Sequence, residues 1–155
     1  MIQGFDPRKR GVRSPHLGYA KTTGHSWPAD VRTSMPHLHL EYTRNLTGLE
    51  PEKLLLKLNH SLMASGQFAH EVDIKARAVQ LDHFRVGIGL GERAFVYVKL
   101  AILSGRSTEV KRKLSEGLLA ALQEGLSVPP GLDVQLGVDI VDMDREAYVK
   151  WRSHP

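Results

Sequence analysis

Two successive strand–helix–strand patterns occupy most of this chain and limit the folds it can adopt. In the first, which spans about 36–82, Leu38, Leu40 and Tyr42 alternate with polar residues and predict a half-buried strand. A helix is predicted to begin at Pro51, because proline is favoured at the first helical position. Its apolar stripe ends before a glycine stop signal and is followed by a second strand near 72–81.

The second pattern spans about 94–142. Residues 94–103 are almost continuously apolar, which is typical of a strand buried on both sides and hence central in its sheet. A helix is predicted to begin near Ser107 or Thr108, with apolar residues at helical spacing. A proline-proline-glycine break follows, and a fourth strand then alternates through Val134, Leu136, Val138 and Ile140.

This order of elements predicts an α+β fold made of two βαβ units. Each unit should contribute a parallel strand pair with one helix packed on it, because such crossovers have a fixed hand. The result is a four-stranded mixed sheet with both helices on one face. The opposite face then needs a cover, and oligomerisation is the economical way to supply one.

Residues 1–35 have a different character and are predicted to form a disordered basic extension ahead of a domain at 36–155. Prolines and glycines interrupt this segment and no apolar period persists in it. Six basic and two acidic residues give it a charge of +4, whereas the remaining 15 bases and 15 acids cancel. We interpret the segment as a misassigned start or a leader. A basic arm that binds an acidic partner is the alternative.

Composition excludes several classes of function. The chain has no cysteine, so it offers neither a disulfide framework nor a thiolate nucleophile or metal ligand. No apolar run reaches the roughly 18 residues that a membrane-spanning helix requires, and no secretory signal opens the chain. We therefore expect no membrane association and a cytoplasmic location.

The dipeptide Met35-Pro36 stands immediately before the first predicted strand. A start methionine is normally removed before proline, which would leave Pro36 with a free secondary amine. Such an α-amino group titrates at about 7.7–8.0, and burial or nearby cations lower that value. Pro36 is therefore a candidate general base near neutral pH. The alternative is an ordinary proline at the start of a strand.

Three basic residues are candidates for binding carboxylates. Lys75 and Arg77 have the same parity on the second strand and so share a face, although both could be solvated surface charges. Arg106 follows Gly105 just before the second helix, whose N-terminus favours an anion. It could equally be a loop arginine beside a helix cap.

A metal site is not predicted. His37 and His39 would lie on one strand face, but the sequence offers no evident third ligand for them.

Three segments carry a resemblance to a known family, namely His37 to Tyr42, Ile74-Lys75-Ala76-Arg77 and Ser104-Gly105-Arg106-Ser107. Together they resemble the 5-carboxymethyl-2-hydroxymuconate isomerase family, which belongs to the tautomerase superfamily. The resemblance implies that Pro36 is the catalytic base and that Lys75, Arg77 and Arg106 bind substrate. Lys75 stands where better-known relatives have arginine. A homotrimer of βαβ-repeat subunits without a metal or organic cofactor is also implied.

The reaction implied by the resemblance converts 5-carboxymethyl-2-hydroxymuconate, a polycarboxylate dienol from homoprotocatechuate breakdown, to its keto isomer. Two other hypotheses compete with it. One is a nucleic-acid-binding protein that uses its basic arm, whose binding would weaken steeply with salt. The other is a catalytically silent trimer of the same fold. The neutral body argues against nucleic acid, so we expect none as a partner.

Overall fold

The computed structural model describes residues 35–153. Residues 1–34 of the predicted extension therefore lie outside the described part of the chain, and Met35 is its one described residue. Six main elements follow in the order β1 (His37–Thr43), α1 (Pro51–Ala64), β2 (Lys75–Leu81), β3 (Arg93–Leu103), α2 (Thr108–Gly125) and β4 (Asp133–Met143).

The start of β2 differs from the prediction. Residues Glu71–Asp73 form a short 3-10 turn, and the strand begins at Lys75, not near 72. The backbone N–H of Asp73 donates to the His70 carbonyl at 3.1 Å, and that of Ile74 donates to the Glu71 carbonyl at 3.0 Å. The first of these bonds uses the Asp73 N–H, which a longer strand would have given to β1, because the Lys75 N–H two residues later is bonded to that strand.

The sheet has the order β2-β1-β3-β4. β1 pairs with β2 in parallel, β3 pairs with β4 in parallel, and the two halves meet where β1 runs antiparallel to β3. The four-stranded mixed sheet predicted from the sequence is confirmed. β3 is one of its two central strands, as its apolar run predicts. It is not buried on both sides within the described chain, because its side chains alternate between buried and partly exposed positions.

Both helices pack on one face of this sheet and enclose a single hydrophobic core. Leu38 and Leu40 of β1 are fully buried there against α1 and α2, and so are Leu58 of α1 and Leu118 of α2. The apolar stripes of both helices therefore face the same sheet surface, as their spacing predicts. Among the described residues, no helix combines the length and apolar character needed to cross a bilayer.

No described helix packs on the other face of the sheet, although Tyr148 from the segment after β4 meets His37 there. Side chains of opposite parity project from it, and the strand register places His37 beside Lys75 and His39 beside Arg77. Val79 lies further along the same face with 47% of its surface exposed. We call this surface the open face. It carries charge at the end where β1 begins.

The connectivity gathers the predicted site residues at one end of the sheet. β1 and β2 are parallel and both begin there, whereas β3 is antiparallel to β1 and ends there. Pro36 precedes β1, Lys75 opens β2, and Arg106 follows β3.

Candidate active site

Pro36 is buried at the point where β1 begins. Its carbonyl oxygen accepts a hydrogen bond from the backbone N–H of Lys75 at 3.0 Å. This bond extends the parallel ladder by one residue beyond the first strand pair. The backbone itself therefore holds Pro36 and Lys75 side by side.

A cavity of about 380 Å³ lies at this end of the sheet. Its lining includes Met35, Lys75, the 3-10 turn residues Val72 and Asp73, and the segment 148–152 near the end of the chain. Met35 is only 2% exposed. The Pro36 nitrogen is bonded to the Met35 carbonyl carbon, so it points towards the place that Met35 occupies. Pro36 itself is not among the residues that line the cavity, but its nitrogen is bonded to a residue that does line it.

Lys75 is the predicted cation that lines the cavity. Its side chain is exposed, and its Nζ donates to the Asp73 carbonyl at 3.1 Å. That bond keeps the ammonium group close to the 3-10 turn. Lys75 and the cavity are adjacent for a topological reason, because β2 begins beside Pro36.

Arg77 lies on the open face, about 7 Å further along β2 than Lys75. Its Nε donates to Nδ1 of His39 at 2.9 Å, so that nitrogen carries no proton and the His39 ring is neutral in this arrangement. Within residues 35–153 the two terminal guanidinium nitrogens of Arg77 have no hydrogen-bond partner. They remain able to bind a carboxylate in the two-point mode of arginine.

Arg106 is half-buried and braces the loop that follows α1. Its Nη1 donates to the Leu103 carbonyl at 3.3 Å and its Nη2 donates to the Gln67 carbonyl at 3.1 Å. The guanidinium carbon also lies 5.3 Å from the centre of the Phe68 ring, a cation–π distance. Arg106 is not among the residues that line the cavity, although it lies at the same end of the sheet.

The segment after β4 supplies a wall of the cavity that the sequence analysis did not find. Tyr148 lies within hydrogen-bond distance of His37, with 2.9 Å between its Oη and the ring Nε2. Lys150 forms an ion pair with Asp73 at 2.8 Å. The one available signal was weak: Lys150 and Arg152 repeat the lysine-x-arginine spacing of Lys75 and Arg77.

The two histidines beside these cations are shifted towards their neutral forms. Burial lowers the pKa of His37 below its ordinary value of 6.5, and the charges of Lys75 and Arg77 lower it further. The pKa of His39 is lowered by burial and then by Arg77, while Glu41 opposes the shift. Among residues 35–153, no group of three or more potential ligands could hold a metal ion, and the His37–His39 pair has no third member there.

The lowered pKa of His37 predicts that acid weakens the fold. The unfolded chain, with its ordinary value near 6.5, binds protons before the folded chain does, so the free energy of unfolding should fall as pH drops below about 6.5. Urea unfolding between pH 7 and pH 5.5 measures this slope. The His37→Asn variant should show a shallower slope, and a further His39→Asn change should flatten it more. Identical slopes in all three proteins would contradict the assignment.

A sequence model of the family described as 5-carboxymethyl-2-hydroxymuconate isomerase matches residues 36–152. The match begins at Pro36 and includes every residue of the cavity lining except Met35. The chain belongs to this family. It is accordingly an isomerase of the tautomerase superfamily, as the resemblance of its three segments indicated.

Solved structures agree with this assignment. A 5-carboxymethyl-2-hydroxymuconate isomerase from Deinococcus radiodurans R1 is 33% identical, with a TM-score of 0.71 over 77% of this chain and 91% of that one. A 5-carboxymethyl-2-hydroxymuconate delta-isomerase is 20% identical, with a TM-score of 0.59 over 77% and 89%. A fused 4-OT wild-type symmetric trimer is 22% identical, with a TM-score of 0.50 over 71% and 87%. The last two support the fold alone. Comparison with curated sequences gives no match.

Proposed function

We propose that this isomerase converts 5-carboxymethyl-2-hydroxymuconate from its dienol to its keto form, as a cytoplasmic step in homoprotocatechuate breakdown, with the free amine of Pro36 as general base. One observation carries the proposal. Met35, the residue that acylates the Pro36 nitrogen, lines a cavity that Lys75 lines as well. The Deinococcus radiodurans R1 isomerase, with the same reaction in its name, supports the substrate.

The surroundings of Pro36 favour the neutral amine that a general base requires. A free α-amino group has a pKa of about 7.7–8.0 before any influence of the fold. Burial and the nearby cations lower the pKa of His37, the residue next to Pro36. The same two causes act on an amine at Pro36, because both disfavour a positive charge. The neutral form of the amine would then be more populated at neutral pH than it is in a free α-amino group.

In the proposed reaction the Pro36 nitrogen accepts the proton of the 2-hydroxyl group as the carbonyl forms there. The electron pair moves through the conjugated system, and the same nitrogen returns the proton to carbon-5. The reaction is therefore neutral in protons and electrons, and it calls for no cofactor. Negative charge that develops on the 2-oxygen is stabilised by the cations around the cavity.

The three predicted cations have unequal roles in binding the substrate carboxylates. Lys75 lines the cavity and would contact a carboxylate directly. Arg77 would meet a carboxylate at the open-face side through its terminal nitrogens. Arg106 already donates to the Gln67 and Leu103 carbonyls, so it would contribute positive charge while holding the loop at 65–68 in place.

The test is the isomerisation itself. A chain that begins at Pro36 should consume the dienol, which is followed by the loss of its ultraviolet absorbance. The silent-trimer hypothesis expects no consumption above the uncatalysed rate. The basic arm of the nucleic-acid hypothesis lies outside the described residues, and no observation within 35–153 favours that function.

We further propose that the chain forms a homotrimer whose subunits cover the open face. An uncovered sheet face that carries Val79 needs a partner, and the related 4-OT structure is described as a trimer. Light scattering after size-exclusion chromatography should give three times the mass of one chain, independent of salt between 0.1 and 0.5 M. A mass equal to one chain would contradict this assembly.

A further inference from the structure

Residues 144–152, near the end of the described chain, are held beside the cavity by contacts at three points. Arg145 donates to the Ser104 carbonyl through both Nη2 at 2.8 Å and Nε at 3.2 Å. Tyr148 meets His37, and Lys150 pairs with Asp73. The anchors lie on the loop after β3, on β1 and on the 3-10 turn. These contacts fix the position of the segment, so it forms one side of the cavity.

The cavity has an excess of positive charge. Three of its lining residues are basic, namely Lys75, Lys150 and Arg152, whereas Asp73 is the single acid among them. The ion pair at 2.8 Å joins Asp73 to Lys150, so these two charges compensate each other. Lys75 and Arg152 remain, and within residues 35–153 neither forms an ion pair. Two separated cations in one cavity favour a ligand with two carboxylates.

The remaining lining is largely apolar or aromatic. Val72, Val149 and Trp151 are 52%, 90% and 85% exposed, so these neighbouring side chains form an exposed apolar patch at the cavity. A ligand with a carboxylate at each end and a planar carbon chain between them would cover part of this surface. An indole ring stacks well on a planar conjugated system. The volume of about 380 Å³ is within the range for small-molecule sites.

We propose that Arg152 and Trp151 form a subsite for a second, distal carboxylate of the substrate and its adjoining carbon chain, while Lys75 binds the first. This inference rests on the proposed function for the identity of the substrate. The Arg152 guanidinium can bind a carboxylate through two hydrogen bonds. It therefore favours a tricarboxylate dienol over the same dienol without the carboxymethyl group. The subsite therefore determines specificity and leaves the proton transfer to Pro36.

The kinetic test compares two substrates. It uses the form of the protein that carries the isomerase activity, which the proposed function expects to begin at Pro36. The Arg152→Gln variant should raise KM for the tricarboxylate dienol about 10- to 100-fold, because a charge-assisted hydrogen bond is lost. Its kcat should change little, and KM for the dienol lacking the carboxymethyl group should stay within about twofold. The control is Arg112→Gln, which removes an exposed arginine on α2 that pairs with Glu109. Equal effects on both substrates would overturn the subsite.

A binding test that needs no turnover uses the full-length chain, in which the cavity of about 380 Å³ is present with Met35 in its lining. The sequence has two tryptophans, Trp27 and Trp151, so a Trp27→Phe variant reports on the cavity alone. Titration with propane-1,2,3-tricarboxylate should change the Trp151 fluorescence in a saturable way, and glutarate should bind at least about tenfold more weakly. Adding Arg152→Gln should remove this preference. A preference that survives without Arg152, or no saturable change, would overturn the proposal.

The two tests separate this inference from the proposed function. Tricarboxylate binding that depends on Arg152, without any isomerisation by the chain that begins at Pro36, supports the subsite and rejects the reaction. Isomerisation that is indifferent to Arg152 supports the reaction and rejects the subsite.

Discussion

A chain that begins at Pro36 should isomerise the dienol about 10²- to 10⁴-fold faster than the 155-residue chain, a range set by what a positioned general base contributes. In the longer chain the Pro36 nitrogen is a tertiary amide, whose lone pair is delocalised into the Met35 carbonyl and cannot accept a proton. The Met35 side chain also stands in the cavity lining. Both obstacles disappear together when Pro36 becomes the first residue. Initial rates of dienol loss at matched protein concentrations measure the ratio.

A third protein separates the loss of residues 1–34 from the release of the Pro36 amine. A chain that begins at Met35 and keeps this methionine has a free amine, but at the wrong residue, and it should be as slow as the full-length protein. The pH profile supplies a second criterion, because activity of the Pro36 form should rise through the pKa of its amine, below the ordinary 7.7–8.0. Equal rates for all three proteins would rule out the amine mechanism. Intact-mass measurement of protein isolated from its host then shows which form exists there.

The fold of residues 36–143 was readable from the sequence because its signals are local and repeated. Alternation through Leu38 and Leu40 reflects burial of one sheet face, and the helical stripes reflect burial against that same face. Pro51 marks the start of α1 as expected. The start of β2 was misplaced, because hydrogen bonds within residues 70–74 form a 3-10 turn that no hydrophobic period reveals.

The candidate site was readable only in part. Pro36, Lys75, Arg77 and Arg106 were all noted, but their different surroundings depend on tertiary contacts. The bond between Arg77 and His39 joins residues 38 positions apart, and the contact between His37 and Tyr148 joins residues 111 positions apart. Residues 144–152 have no periodic pattern that predicts their return to the start of β1. Long-range side-chain contacts of this kind have no local sequence signature.

The different surroundings of Lys75 and Arg77 lead to the second large prediction. Replacing Lys75 with methionine should lower kcat/KM of the Pro36 form about 10²- to 10³-fold, the loss typical when a group that stabilises developing charge is removed. Methionine preserves most of the side-chain length, so packing is little changed. Lys75→Arg should retain most of the activity, because it keeps the charge beside Pro36. Steady-state kinetics on the dienol measure each variant.

Arg77→Met is the matched comparison, since it removes one positive charge from the same strand face two residues away. Its Cα is about 7 Å further along β2 and its guanidinium already donates to His39, so its loss should affect KM more than kcat and reduce kcat/KM less than the loss of Lys75. A larger loss for Arg77→Met than for Lys75→Met would place the reacting atoms closer to the middle of the open face than to the cavity beside Met35. The decisive quantity is the ratio of the two kcat/KM losses. It depends on distance from the Pro36 nitrogen, because both variants remove the same net charge and both positions are exposed.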